Sequence, residues 1–217
     1  MKSSTTGFRA ATGGVAALAM VAVMQGAVAA PVVIGFEGFA DSTPITTQIT
    51  DMTFVNATVL TSGIGLNEFE FPPKTGTNVV FDDGGPITIT FAAPVFGVGG
   101  YFNYAMPLTF TVFDSVNAVL ISLNSAYASN LGLSGDLGST TNELLSYSNL
   151  GGLIAKLVIT GDPLGGSFTM DDLTVDFGAS TPMPEPQTLA LVLGLLGAGF
   201  VPGGWLRRRT VAAGQSV

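Results

Sequence analysis

Residues Ile87–Tyr104 read "ITITFAAPVFGVGGYFNY". Ile87, Ile89 and Phe91 share one parity while Thr88 and Thr90 take the other, the period-two alternation of a strand buried on one face. "FAAPVFG" interrupts the run, and an apolar series resumes over Val95–Tyr104. The stretch predicts two antiparallel strands returning on each other through a tight turn. The same grammar extends outward in both directions, with strand-length runs at Val32–Phe36, Met52–Leu60, Asn78–Phe81, Leu108–Asp114, Ala118–Leu123, Leu153–Thr160 and Ser167–Phe177. "DSVN" (Asp114–Asn117) and "GDPLGG" (Gly161–Gly166) supply the turn residues of two further hairpins. Almost no segment has a 3.6-residue apolar period, so the fold class is all-β, an antiparallel β-sandwich or jelly roll. The polar, Gly-rich segment Ser125–Gly152 is expected to be a long excursion loop, with "TNELLSY" as its one helical turn.

In the last run, "FTMDDLTVDF" (Phe168–Phe177), the phase breaks. Phe168 and Met170 fall on one parity and Leu173, Val175 and Phe177 on the other, so both series reach one core if an extra residue is inserted at Asp171 and Asp172. Such a β-bulge aims two adjacent carboxylates at a common point, where solvent or a cation is needed to tolerate them, and oxygen ligands of this kind suit Ca²⁺.

Composition narrows the chemistry further. The 217 residues are 47% hydrophobic and 10% charged, with no cysteine and no histidine. Disulfides, thiolate nucleophiles, imidazole metal ligands and a Ser-His-Asp relay are all excluded. Between Pro31 and Pro184 two lysines oppose fourteen acids, a balance of −12. That surface repels nucleic acid and favours divalent cations or neutral polymers. Glu68 and Glu70 in "NEFEF" are the candidate carboxylate pair for a carbohydrate-active hydrolase, two residues apart on one strand face and so about 7 Å from each other. The alternative for them is a half-buried strand with wet glutamates. The sequon "NAT" at Asn56–Thr58 falls inside an expected strand.

The two ends of the chain read as addresses. Residues 1–29 have a positive start (Lys2, Arg9), an apolar core at Val15–Met24 and the A-x-A pair Ala27 and Ala29, which predicts a signal peptide cut after Ala29 by signal peptidase following Sec export. The ectodomain then spans 30–179, a proline-rich linker 180–187, a C-terminal transmembrane helix with its arginine cluster 188–210, and a short tail 211–217. Pro202, Gly203 and Gly204 shorten the clean apolar run to Leu189–Val201, roughly 20 Å of helix against a bilayer core of about 30 Å. Arg207, Arg208 and Arg209 hold the C-terminus inside, leaving the domain outside.

Pro184-Glu185-Pro186, the short apolar helix and the arginine cluster together resemble the PEP-CTERM sorting signal of Gram-negative bacteria. The resemblance implies recognition of the tripeptide by an exosortase-type membrane protease, a transient single-pass intermediate, and delivery to the cell surface or an exopolysaccharide and biofilm matrix. The helix departs from the pattern in carrying "PGG", and eight residues follow the arginines. Separately, "IGFEGF" at the first strand and "FTMDDLTV" at the last resemble carbohydrate-binding jelly rolls, in which acids of the two terminal strands hold a structural Ca²⁺. That resemblance implies Glu37 with Asp171 or Asp172 as ligands. The overall expectation is a non-enzymatic exported protein, associated with extracellular polysaccharide, with a hydrolase or a permanently anchored periplasm-facing protein as alternatives.

Overall fold

The computed structural model describes residues 30–178. The expected signal peptide, the expected linker with Pro184–Pro186, the expected C-terminal helix and Arg207–Arg209 lie outside them. Regular structure within is entirely β: β1 (Val32–Ile34), β2 (Pro44–Ile45), β3 (Met52–Val55), β4 (Ala57–Thr61), β5 (Asn78–Asp82), β6 (Ile87–Val95), β7 (Gly97–Tyr104), β8 (Thr109–Phe113), β9 (Val119–Asn124), β10 (Glu143–Ser148), β11 (Ile154–Thr160) and β12 (Phe168–Asp176). They form two antiparallel sheets. One has seven strands in the order β10-β7-β12-β5-β4-β2, with β1 also on β12, and the other five in the order β3-β6-β11-β8-β9. The expected antiparallel β-sandwich is the fold of the described residues.

The core lies between the inner faces of the sheets. Ile87, Ile89 and Phe91 of β6 point into it, as their alternation requires, and meet Leu157 and Ile159 of β11 and Phe110 and Val112 of β8. Phe102 of β7 bridges the sheets, its ring 6.2 Å from that of Phe110 at 79° and 6.2 Å from that of Phe168. Edge-to-face aromatic pairs of this kind add to the burial of their area.

The turn at the centre of "ITITFAAPVFGVGGYFNY" is not a hairpin. β6 belongs to the five-stranded sheet and β7 to the seven-stranded one. A single residue, Phe96, links them, too short for a hairpin loop, so the chain bends round a corner of the sandwich and changes sheet. The run Met52–Leu60 does the same. It splits at Asn56, whose φ of 58° is left-handed, into β3 in one sheet and β4 in the other. Asparagine tolerates that conformation better than a β-branched residue. The sequon residue is therefore a corner, its amide donating to the Pro86 carbonyl at 3.1 Å. "GDPLGG" likewise carries the chain across sheets, from β11 to β12, whereas "DSVN" does close the β8–β9 hairpin. Gly165 sits at φ 86°, and a Cβ there would lie 2.5 Å from the Asp82 carbonyl oxygen, so this corner excludes any larger residue.

The segment expected as a loop with a helical turn contains β10, an edge strand in register with β7 from Glu143–Phe102 to Ser148–Gly97. "ELLSYS" carries no strong strand signal, and the open edge of β7 recruits it. The expected bulge in β12 is present. Its register against β7 shifts between Asp171 and Thr174, Asp172 has φ 47°, and Phe168, Met170, Leu173 and Val175 all reach the core. Phe177 lies beyond the strand and is 38% exposed.

Candidate functional site

The bulge falls at a junction in the seven-stranded sheet. On one side of β12, β5 pairs at Thr169 and Met170, and β1 takes over at Leu173–Val175. The exit of β1 (Glu37) and the approach to β5 (Lys74–Thr77) both abut this gap, which brings the three expected acids to one loop. Asp171 Oδ2 accepts the backbone N–H groups of Lys74 at 2.7 Å and Thr75 at 2.9 Å, and its Oδ1 accepts that of Asp172 at 2.6 Å. The Thr75 hydroxyl donates to Asp172 Oδ1 at 2.7 Å. Glu37 Oε1 accepts the N–H groups of Thr77 and Asn78, both at 2.9 Å, and the Thr77 hydroxyl donates to its Oε2 at 3.1 Å.

Burial pushes the Asp171 carboxyl up to about 6, with the Asp172 charge adding and the three amide donors opposing. For Glu37, burial acts upward, but the amides of Asn78 and Thr77 and the Thr77 hydroxyl hold it below the ordinary glutamate range.

The donor set is oxygen-only, as calcium requires, but the arrangement does not fit one. The carboxylates that would surround a cation point at backbone amides and hydroxyls of 74–78. Thr75 takes the position the two aspartates share. Among the described residues no three His, Cys, Asp or Glu side chains converge as metal ligands. The common point read from the bulge exists, and a loop fills it.

Glu68 and Glu70 lie in a turn rather than on a strand, so they do not share a strand face. Glu68 accepts the Gly63 N–H at 3.3 Å, and Glu70 Oε2 accepts those of Leu133 and Ser134 at 2.9 and 3.1 Å. Those amides, the Leu133 one first, draw the Glu70 carboxyl below its usual range. Glu68 bonds within its own loop and Glu70 ties that loop to the segment at Leu133–Ser134, which is not the disposition of an acid and base flanking a scissile bond.

Several polar anchors had no local signal in the sequence. Asn130, fully buried in the excursion segment, accepts from the Tyr104 N–H at 2.7 Å and donates to the Phe102 carbonyl at 2.9 Å and the Thr140 carbonyl at 3.2 Å. The Tyr104 hydroxyl donates to Glu143, and burial together with that carboxylate raises it to about 12. Asp82, also fully buried, accepts from the Ser167 N–H and hydroxyl and the Phe168 N–H at 2.8–3.1 Å. Burial raises its carboxyl and these donors oppose the rise.

The loop over 62–77 lies across the outer face of the seven-stranded sheet. Leu66 and Phe71 stand over Phe81 and Thr169 around a cavity of about 200 Å³, and Asn103 donates to the Pro72 carbonyl at 2.8 Å. This cover is why outward-facing Asn103 and Thr169 are 2% and 4% exposed. Beyond it the face opens into a groove of about 390 Å³ over the glycine-rich half of β7. Gly97 and Gly99 form its floor; a Cβ on Gly99 would lie 2.7 Å from Ser146 Cβ. Leu144, Ser146 and Ser148 of β10 make one wall, Thr174 and Asp176 of β12 the other. Tyr101 closes one end, with Lys74 Nζ 4.4 Å above its ring centroid.

No protein-family model matches the chain, and no curated protein matches it. Among solved structures, the K2 cleaved adhesin domain of Lys-gingipain is similar with a TM-score of 0.41 and 11% identity, over 67% of this chain and 97% of that one. A family 6 carbohydrate-binding module is similar with a TM-score of 0.31 and 10% identity, over 68% of this chain and 95% of that one.

Proposed function

We propose that the chain is a non-enzymatic, exported surface or extracellular-matrix protein, held briefly in the membrane by its tail and associated with extracellular polysaccharide. Signal peptidase removes 1–29 after Sec export, and an exosortase-type protease acts at Pro184-Glu185-Pro186 while the apolar helix and Arg207–Arg209 hold the chain across the inner membrane. The reading is carried by the three-part tail. The fold is compatible with it, because β1 and β12 pair antiparallel from Val32–Val175 to Ile34–Leu173, so the chain enters and leaves the sandwich side by side. A domain hung in this way projects its remaining surface outward. Glu68 and Glu70, spent as loop acceptors, receive no catalytic role.

Mass spectrometry of the mature protein from cells with and without an exosortase tests the sorting step. The expected product with the enzyme lacks the apolar helix and the arginines. An intact C-terminus at Val217 in exosortase-positive cells would leave a permanently anchored protein instead.

A further inference from the structure

We propose that the pole of the sandwich from which both chain ends leave, centred on Leu150, Leu153 and Phe177, rests on the surface of a lipid bilayer while the tail holds the chain in the membrane. This deepens the preceding reading and rests on its membrane-held intermediate. β1 pairs with β12 at Val32–Val175, so the pole where β12 ends is also the pole where β1 begins. Phe96, at the corner between β6 and β7, lies at its centre. Its N–H donates to the Asp176 carbonyl at 2.7 Å, and its carbonyl accepts the Asn149 N–H at 2.6 Å. The turn before β11 is thereby drawn against the end of β12. A Cβ on Gly152 would lie 2.7 Å from the Phe96 ring, so this turn packs directly on it.

Leu150 stands out from the turn 98% exposed, Leu153 and Val32 are half-exposed, and Phe177 is exposed beside them. Clustered apolar exposure of this kind marks a binding surface. Charge separates this cluster from the other exposed apolar residues. Phe69 lies between Glu68 and Glu70, Leu137 follows Asp136, and Leu164 stands two residues from Asp162. Around the exit pole, residues 30–34, 94–99, 146–155 and 174–178 contain a single charged residue, Asp176, whose Oδ1 accepts the Gly178 N–H at 2.8 Å. In an exported region with fourteen acids, this pole approaches phospholipid headgroups with the least repulsion.

The chain beyond the sandwich brings lipid, before any other occupant, to this pole. Ten residues, 179–188, separate Gly178 from Leu189, where the clean apolar run begins, and they reach at most about 36 Å. A tether of that length keeps the local concentration of the pole at the bilayer high, so a weak apolar contact is enough to stay occupied. The backbone suits the boundary as well. The amides of Asn149, Gly151, Gly152 and Gly178 bond within the pole, so they are not stranded when water is displaced. Leucine and phenylalanine side chains presented on such closed turns enter the boundary between headgroups and acyl chains.

The test exploits the absence of cysteine from the sequence. The full chain carrying Leu150→Cys is labelled with an environment-sensitive fluorophore and reconstituted into phosphatidylcholine vesicles with and without lipid bearing a doxyl quencher at acyl carbon 5. Leu164→Cys, at the corner between β11 and β12, is the reference on the opposite pole, separated from the first by the nine residues of β12, about 26 Å. The expected result is quenching by about half at Leu150 and none at Leu164. Leu153→Cys repeats the measurement if Leu150→Cys fails to fold. Equal quenching at both poles, or none at Leu150 in chains that float with the vesicles, overturns the contact and leaves the tail's hold intact. A label at Leu150 shielded from aqueous iodide yet untouched by the doxyl lipid would assign the pole to the linker or to a second copy, and overturns it too. Chains that fail to float with vesicles would overturn the membrane-held intermediate itself, and the contact with it.

Discussion

Asp171 is a buried carboxylate with three amide donors and another carboxylate beside it, and its titration carries a sign that can be measured. Its native pKa, about 6, stands above the ordinary value of 3.8. Between those values the native state therefore holds a proton that the unfolded chain has released. By linkage, the contribution of Asp171 to stability is larger near pH 5 and falls as pH rises through about 6. Glu37 and Glu70 are shifted the other way and lose their contribution only on acidification below the ordinary glutamate range. Melting temperatures at pH 5 and pH 7 should thus differ less in Asp171→Asn than in the parent protein. An unchanged difference would mean that another group dominates this window. The aspartate pair was legible from the broken parity of "FTMDDLTVDF". Its partners were not, because Lys74 and Thr75 stand about a hundred residues away and contribute backbone that any residue would supply.

At the scale of the element, the excursion segment shows how a stretch without periodicity becomes fixed structure. Asn130 closes three hydrogen bonds with β7 and the segment's own Thr140, and Asp136 accepts the amides of Ala128 and Ser129 at 2.9 and 3.2 Å. The segment then delivers β10 to the sheet edge, where it forms a wall of the groove. Removing the Asn130 side chain strands the Tyr104 N–H and the Phe102 carbonyl in the core. Asn130→Ala should cost about 2 kcal/mol in urea unfolding and speed amide exchange across 125–142. A loss well below 1 kcal/mol, or exchange unchanged in that segment, would show that β10 pairs without this anchor. The strand escaped sequence reading because "ELLSYS" is as good a helical turn as a strand in isolation. Pairing with β7, whose outward residues Gly97 and Gly99 leave room for it, settles the matter.

For the whole molecule, the clasp at the chain ends determines what should hold the sandwich shut. β1 on β12 and the carboxylate–amide bonds to 74–78 close it with donors the chain itself provides. The melting temperature should therefore stay within about 2 °C on adding EDTA or millimolar Ca²⁺, whereas a metal bound well above its dissociation constant would stabilise by several kcal/mol and move the melt further. A clear rise with Ca²⁺ would restore the calcium expectation for Glu37, Asp171 and Asp172. The sequence by itself determined the fold class, most strand positions and the bulge, since each depends on side-chain parity and on turn residues that act locally. It marked a turn at Gly161–Gly166 without revealing that the chain changes sheet there, ran one strand through Asn56, and read the corner at Phe96 as a hairpin. Tertiary structure decided which strands pair, which polar groups the 62–77 loop covers, and where the outer face stays open. Those outcomes depend on contacts between residues far apart in the chain, and no local pattern encodes them.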